Sequence, residues 1–461
     1  MANFWDSNVW GFFNLIAVLL ASLLGANVLR KSVPFLKTSL VPTSVLGGGI
    51  LLVISCVYKL ITKEDLFDMT FFGGNGMGML EMLTYHCLAL GFIAATFKPS
   101  QGKLTRKRTT EILNTGMTTV ATYLLQAILG LAITMIAAWI VKDFFAAAGV
   151  LLPFGYGQGT GQALNYGTIY ENEFGFADGK SFGLTIAALG FLSASIGGVF
   201  HLNILRKRGV IKVQNADEVP LRSEDIQSSD EIPMQESIDK LTVQIALIAV
   251  AYALCYLLMS LLGSLLPGMR SVIFGFNFLL GVLAATLMKA VMGWLRKKGA
   301  IKREYVNPFL MTRASNFFYD LMVVAGIAAI RLSALQEYWL IMLILGITGL
   351  VSTYVYNHFV AKKLFPEYSK EQFLMMYGML TGTASTGVIL LREADGDFKT
   401  PAADNMVYQN FPAIVLGFPI MLVATLAPTA PGLTLLIVTA YFLVLNVVLF
   451  RSLIFRKRKN G

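Results

Sequence analysis

Two stretches of this sequence combine glycines with hydrogen-bonding side chains in otherwise apolar surroundings. The first runs from Gly155 to Asn165, and the second runs from Gly378 to Gly387. Glycine allows tight turns and lets main-chain groups approach a ligand closely. Hydroxyl and carbonyl oxygens are hard ligands that suit Na⁺, and the N-termini of broken helices suit a carboxylate. The two stretches are therefore candidates for binding a cation together with an anionic solute.

The candidate ligands in these stretches are polar side chains and the glycines between them. They are Gln158, Gly159, Thr160, Gly161, Gln162 and Asn165 in the first stretch, and Thr381, Gly382, Thr383, Ser385 and Thr386 in the second. Small residues also allow close packing of membrane helices, so the same pattern has a purely structural explanation. Neither stretch continues into Gly-Lys-Ser/Thr, so nucleotide binding is not indicated.

Ionisable residues in one apolar stretch are a second signal, because charge inside a membrane is costly. The stretch 305–330 contains Arg313, Asn316 and Asp320, whose spacing places them on one face of a helix. Asp320 could coordinate a cation or carry a proton, and Arg313 could hold a carboxylate. A structural pair, or an Arg313 that extends to the membrane surface, is the alternative.

Composition and the pattern of motifs limit the class of protein. The chain has 461 residues, of which 56% are hydrophobic and 14% are charged. Soluble domains contain about 25% charged residues, so we expect a membrane protein. Its three cysteines, Cys56, Cys87 and Cys255, lie in apolar stretches and indicate neither disulfides nor a CxxC metal site. The absence of Gly-x-Ser-x-Gly and His-Glu-x-x-His argues against a membrane-embedded hydrolase, and we expect no enzyme activity.

Eleven apolar stretches are long enough to cross a hydrocarbon core of about 30 Å. They lie near 8–29, 40–61, 76–97, 114–141, 181–204, 241–266, 271–294, 305–330, 336–360, 404–427 and 432–454. Two further stretches, 144–170 and 372–391, are only moderately apolar and are interrupted by polar residues. The N-terminus lacks a basic segment, so the first apolar stretch is predicted to be a membrane span rather than a cleaved signal.

The basic residues predict the topology, because Lys and Arg concentrate on the cytoplasmic side of a membrane. If the stretch 144–170 crossed the membrane, the cluster Arg206, Lys207 and Arg208 would lie outside. All basic clusters are cytoplasmic only if neither interrupted stretch crosses. We therefore predict two re-entrant hairpins, an outer N-terminus and a cytoplasmic C-terminus in the inner (plasma) membrane. The formal net charge of +10 then reflects this clustering and not a nucleic-acid-binding surface.

The predicted fold is an all-α polytopic membrane protein with two inverted repeats of five transmembrane helices, each with a re-entrant hairpin, plus one extra C-terminal helix. The repeats cover 1–204 and 241–427, a cytoplasmic linker covers 205–240, and 428–461 holds the extra span and a basic tail. Five spans per repeat place the second repeat upside down, as in many secondary transporters. The short match between Thr160-Gly161-Gln162-Ala163 and Thr381-Gly382-Thr383-Ala384 occurs at equivalent places in the two halves.

Three stretches of the chain resemble the bacterial sodium/glutamate symporter family. The first is Arg30–Lys37 followed by Val41–Gly48, which resembles the family's first loop and its Pro-then-Gly-Gly second span. The second is Gly157–Gly161 with the downstream Tyr170–Phe176, and the third is Gly378–Gly387. The likeness covers most of residues 10–427 in order and spacing.

The resemblance implies a sodium-coupled carrier of glutamate or a related carboxylate, working by alternating access with two opposed hairpins. Na⁺ would be a coupling ion without any other cofactor. The residue types themselves make Thr160, Thr381 and Asp320 its candidate ligands. The chain departs from the family's pattern at Gln158, where His is expected, and at Ala384–Gly387, where Ala-Thr-Pro-Thr is expected. Arg313 and Asp320 do not match the family, and the span 432–454 and the long linker are additions.

Two other functions are compatible with the sequence. One is a proton-coupled exporter or exchanger of an organic anion, in which Asp320 titrates. The other is a membrane-embedded enzyme or sensor without transport. The expected partners of the carrier are a small anionic solute, sodium ions and the lipid bilayer, and a homodimer is plausible because such carriers commonly need a fixed scaffold.

The topology can be tested by labelling single cysteines with a membrane-impermeant maleimide, after Cys56, Cys87 and Cys255 have been replaced. A cysteine at position 172, after the first hairpin, should react in intact cells. A cysteine at position 395, after the second hairpin, should react only when the cytoplasmic side is opened. The reverse pattern would contradict the two non-crossing hairpins.

Overall fold

A computed structural model describes residues 3–38, 40–97, 105–209, 231–234, 238–275, 277–395 and 399–454. Within these ranges the chain is helical, with an isolated bridge between Glu231 and Glu304 and no strand. Most of the predicted linker 205–240, the basic tail and the side chain of Ser385 lie outside the described residues.

The helices of the first half of the chain follow the apolar stretches of the sequence. They are α1 (Ser7–Ser32), α2 (Pro34–Thr38), α3 (Thr43–Thr62), α4 (Gly76–Phe97), α5 (Arg106–Ile140), α6 (Leu151–Tyr156), α7 (Thr160–Phe174) and α8 (Gly179–Lys207). A 3₁₀ turn, Ala146–Val150, leads directly into α6. Helix α7 ends at Gly175, whose φ of +70° is the left-handed conformation that commonly closes a helix.

In the second half, the described ranges contain eleven α-helices, several of which are short. They are α9 (Lys240–Leu265), α10 (Arg270–Gly275), α11 (Asn277–Lys297), α12 (Pro308–Ala328), α13 (Leu332–Leu364), α14 (Ser369–Thr381), α15 (Ala384–Arg392), α16 (Ala402–Tyr408), α17 (Asn410–Leu426), α18 (Pro431–Leu449) and α19 (Arg451–Ile454). The predicted span 271–294 falls on α10 and α11, and residue 276 between them lies outside the described residues.

Nine helices within the described ranges are long and apolar enough to cross a membrane, and the bent pair α16 and α17 would make ten. The two members of that pair meet at an angle of 50°. Helix α12 has 21 residues but is not among the nine, since Arg313 and Asp320 interrupt its apolar sequence. The protein is therefore an all-α polytopic membrane protein, as the composition predicts.

The chain forms two compact units, and each unit draws helices from both halves of the sequence. The larger unit comprises residues 1–77, 104–215 and 326–461. It contains both predicted hairpins, the long helices α5, α8 and α13, and α16–α18. The two units are defined by contacts within the fold, whereas the predicted repeats are defined by the order of spans along the sequence. The repeat boundaries at 1–204 and 241–427 therefore stay a prediction.

The smaller unit comprises residues 78–103 and 216–325. Its apolar core includes Ile93 and Phe97 of α4 and Ile248 of α9. A buried ion pair joins Lys240 Nζ to Glu231 Oε2 at 2.7 Å. The same carboxylate oxygen accepts a hydrogen bond of 2.6 Å from the Asn307 side chain, so this buried charge is partnered, as stability requires.

Candidate functional site

The first interrupted stretch is a helix that breaks and turns back. Helix α6 ends at Tyr156 and α7 begins at Thr160. The ends of the two arms that are farthest from the break lie close together. The Phe145 ring lies 5.4 Å from the Tyr170 ring, centroid to centroid. Gly159 has φ +81° and ψ −172°, a conformation that is essentially restricted to glycine. The reversal therefore depends on glycine at this position.

The second interrupted stretch turns back in the same manner. Helix α14 ends at Thr381 and α15 begins at Ala384. A Cβ atom added to Gly378 would lie 2.9 Å from the main chain of Gly387, so the two arms pack with no space for larger residues. Thr383 caps α15, because its hydroxyl accepts a hydrogen bond of 3.4 Å from the Thr386 main-chain N–H.

The breaks of the two hairpins lie against each other inside the larger unit. A Cβ atom added to Gly159 would lie 3.9 Å from Thr383 Cγ2 and 4.0 Å from the Gly382 carbonyl oxygen. This places the N-terminus of α7 beside the C-terminus of α14 and the N-terminus of α15. The first turn of a helix presents main-chain N–H groups without intrahelical partners, and the last turn presents such carbonyls. Groups that favour anions and groups that favour cations thus meet at one place.

Three side-chain atoms at the start of α7 are buried without a hydrogen-bond partner among the described residues. They are the hydroxyl oxygen of Thr160 and both the oxygen and the nitrogen of the Gln162 amide. Thr160 is 0% exposed and Gln162 is 2% exposed. A buried polar group without a partner costs roughly 1–3 kcal/mol and requires an explanation, such as a bound water, ion or ligand. These atoms have the chemistry to bind a ligand at the hairpin breaks.

A neighbouring residue, Gln126 of α5, links the second hairpin to the helices around it. Its Nε2 donates hydrogen bonds of 3.1 Å to the Leu380 carbonyl and 2.8 Å to Thr353 Oγ1. The first of these bonds satisfies a carbonyl in the last turn of α14, which has no partner within its own helix. Gln126 Oε1 is buried and has no partner in the described part of the chain.

Glycines of two other helices bring the main chain close to both breaks. A Cβ atom on Gly326 would lie 2.8 Å from Thr160 Cβ. A Cβ atom on Gly190 of α8 would collide with the Thr381 carbonyl oxygen. Any larger residue at these two positions would displace a hairpin break, so both glycines are part of the site's shape.

Tyrosines in the hairpin arms hold both hairpins to α8 through one residue. Tyr156 of the first hairpin contacts Ser193 Oγ at 2.9 Å and donates to the Gly346 carbonyl at 2.6 Å. Tyr377 of the second hairpin donates to the Ser193 carbonyl at 2.8 Å. Each such bond contributes about 0.5–1.5 kcal/mol, and together they fix the arms from which the breaks project.

The loop after the second hairpin is held by a carboxylate outside the membrane-spanning segments. Asp395 accepts hydrogen bonds from the main-chain N–H groups of Lys399 and Thr400 and from the Thr400 hydroxyl, at 2.9, 2.7 and 2.6 Å. Burial raises the pKa of the Asp395 carboxyl, but the hydrogen bonds from Thr400 and Lys399 outweigh burial and lower this pKa below its usual value. The carboxylate is therefore ionised at neutral pH, when it can accept all three of these hydrogen bonds.

The structure brings most of the predicted site residues together at the two breaks. Gly159, Thr160, Gly161, Gln162, Asn165, Thr381, Gly382 and Thr386 are buried there, and Gln158 and Thr383 are half-buried. The Thr381 hydroxyl donates to the Tyr377 carbonyl at 2.6 Å, so its lone pairs alone are available to a cation. Ser385 lies in α15, but its side chain is outside the described residues.

Arg313 and Asp320 lie on α12 in the smaller unit, and both side chains are exposed. The Arg313 guanidinium lies over the Phe309 ring, 4.9 Å from the ring centroid. The structure does not place these two residues in the compact unit that contains the hairpin breaks, so their predicted roles stay predictions.

Gln126, Gly190 and Gly326 are absent from the sequence-based set of site residues. The sequence of helix α5 contains a pattern that could have indicated Gln126. Four polar residues recur along this apolar helix at intervals of three or four and are all buried: Thr115, Thr119, Thr122 and Gln126. The two glycines gave no comparable signal, because their importance lies in contacts with residues distant in sequence.

No group of three or more His, Cys, Asp or Glu side chains within the described ranges is arranged to hold a metal ion. The oxygens at the hairpin breaks are of another kind, since they are hydroxyl, amide and main-chain oxygens. No known protein family and no curated protein matches this chain.

Removal of a hydroxyl that has no partner should not destabilise the protein. We expect Thr160→Val to leave the free energy of unfolding unchanged or to raise it by up to about 1 kcal/mol. Thr134→Val is the contrasting variant, because the buried Thr134 hydroxyl donates to the Ala146 carbonyl at 2.7 Å and accepts from the Gly149 N–H at 3.0 Å. It should cost about 1–3 kcal/mol, since Gly149 loses its partner.

The measurement is the thermal unfolding midpoint of both purified variants and the wild type in one detergent, in buffer without Na⁺. An equal loss of stability in Thr160→Val and Thr134→Val would show that the Thr160 hydroxyl has a structural partner.

Proposed function

We propose that this protein is a secondary active transporter that couples the entry of Na⁺ to the uptake of glutamate or a related carboxylate-bearing solute. The observation that carries the proposal is the set of buried, unpartnered polar atoms on Thr160 and Gln162, located where the two hairpin breaks meet. A bound ion and solute would supply the missing partners. The resemblance to the sodium/glutamate symporters points to the same class of solute and ion.

The oxygens near the breaks support a Na⁺ site. The Thr160 hydroxyl and the lone pairs of the Thr381 hydroxyl are neutral hard ligands, and the C-terminus of α14 contributes carbonyls with partial negative charge. A set of neutral oxygens suits a monovalent cation such as Na⁺. A dedicated site for a divalent cation would include carboxylates.

The helix N-termini at the same place support a carboxylate site. Helices α7 and α15 both begin at the breaks, so their first N–H groups and their partial positive charge are available to an anion. The unpartnered Gln162 Nε2 is a further donor. Arg313 remains a candidate for a second carboxylate of the solute.

Alternating access would follow from two inverted repeats, with the N-terminus outside, the C-terminus in the cytoplasm and the chain in the inner membrane. Corresponding parts of the two predicted repeats occur in the larger unit: α5 and α13, the two hairpins, and α8 and α17. Ions can drive such a cycle only if they bind the outward and inward states with different affinity. A homodimer would supply a fixed scaffold for this movement.

The experiment is uptake of radiolabelled glutamate, aspartate and other carboxylates into proteoliposomes, with and without an inward Na⁺ gradient. Wild-type protein should concentrate at least one of these solutes only when the gradient is present. Thr160→Val should raise the Na⁺ concentration for half-maximal uptake by at least about tenfold, equivalent to about 1.4 kcal/mol of lost ion binding.

Thr185→Val is the matched control for uptake. The Thr185 hydroxyl is buried in α8 and donates to the carbonyl of Ser181 in its own helix at 2.7 Å, so its loss should leave the Na⁺ dependence unchanged. Uptake driven equally well by a proton gradient without Na⁺, and abolished by Asp320→Asn, would contradict Na⁺ coupling and favour the proton-coupled exchanger. Absence of flux for every carboxylate would contradict the proposed solute class.

A further inference from the structure

A cavity with basic and imidazole side chains in its lining lies toward the C-terminal end of α8. Its volume is about 290 Å³. Three elements of the larger unit enclose it: the end of α8, the last third of α13 and the start of α14. The residues that define its chemistry are His201, Arg208, Tyr354, His358, Lys362 and Lys370.

The charged side chains among the described residues that line this cavity are all basic. Arg208, Lys362 and Lys370 are exposed at its rim, and no carboxylate of the described part of the chain lines it. Among the described residues none of these three side chains forms an ion pair or a hydrogen bond. Three cations that repel one another remain close together without a partner, so the arrangement favours an anion.

Two carboxylates of the larger unit are paired with basic residues that do not line the cavity. Glu393 pairs with Arg206 at 2.7 Å, and Glu367 pairs with Lys107 at 2.8 Å. These two carboxylates are thus engaged away from the rim cations.

The inner part of the cavity consists of two imidazoles and a phenol. His201 is buried, and its Nδ1 lies 2.8 Å from the Tyr354 hydroxyl. The His358 ring lies 5.4 Å from the His201 ring, centroid to centroid. These groups can donate hydrogen bonds at depth, while the N-terminus of α14 adds partial positive charge beside Ser369 and Lys370.

We propose that this cavity binds a phosphate-bearing anion, either free phosphate or the phosphodiester of a lipid headgroup. Several cations from different elements, together with neutral donors at depth, suit a compact anion with multiple oxygens. The bound anion would bridge α8 and α13 to the first arm of the second hairpin, since Lys370 belongs to α14. This site is separate from the hairpin breaks and does not depend on the proposed transport function.

The test uses the full-length protein in two arms. In one arm, binding of radiolabelled inorganic phosphate is measured in phosphatidylcholine nanodiscs. In the other arm, native mass spectrometry measures the retention of phosphatidylglycerol by detergent-purified protein. The variant Arg208→Gln/Lys362→Gln removes two rim charges, and Lys207→Gln/Lys363→Gln removes two exposed charges at adjacent positions that do not line the cavity.

We expect the rim variant to bind its anion at least about tenfold more weakly than the wild type, through the loss of charge-assisted hydrogen bonds, and the control variant to change by less than about twofold. Selective loss in the phosphate arm identifies free phosphate as the ligand, and selective loss in the lipid arm identifies a headgroup. An equal loss in both variants, or no binding of either probe by the wild type, would overturn the proposal. Should the rim variant fail to fold, Lys370→Gln, a single exposed substitution, gives the same comparison against Lys363→Gln.

Discussion

The structure around the two hairpins depends on one constraint: main-chain polar groups at a helix break must find partners when no water surrounds them. A continuous helix satisfies these groups within itself, but each break releases several N–H and carbonyl groups. Some of them are satisfied by side chains of other helices. Tyr123 donates to the Gly157 carbonyl at 3.2 Å, and Gln126 donates to the Leu380 carbonyl at 3.1 Å. The apolar helices around the hairpins must therefore carry polar side chains at the positions that face each break.

The same constraint separates polar groups with a partner in the structure from those without one among the described residues. The Thr383 hydroxyl caps α15, and Tyr156 and Tyr377 fix the hairpin arms to Ser193 of α8. By contrast, Thr160 and Gln162 are buried and have no partner among the described residues. Conversion of these two side chains to apolar residues would be expected to help folding. Their presence is best explained by a ligand that completes their hydrogen bonds or coordination.

The sequence was sufficient to predict the helices, the two breaks and most residues located at them. This follows from local physics, because long apolar runs form helices in a membrane and clusters of glycine and threonine interrupt them. The contact between Gly159 and Thr383, the support from Gln126 and the need for glycine at position 326 required the folded structure. Each joins residues far apart in sequence, and spacing along one helix contains no information about such pairs.

Direct binding of the ion tests the central claim, which is that the hairpin breaks form an ion site completed by a ligand. The measurement is equilibrium binding of radiolabelled Na⁺ to the purified protein, with Thr160→Val and Thr185→Val compared under the same conditions. We expect saturable binding by the wild type and Thr185→Val, and at least about tenfold weaker binding by Thr160→Val. Saturable binding that is identical in all three proteins, or no saturable binding by the wild type, would contradict an ion site at the hairpin breaks.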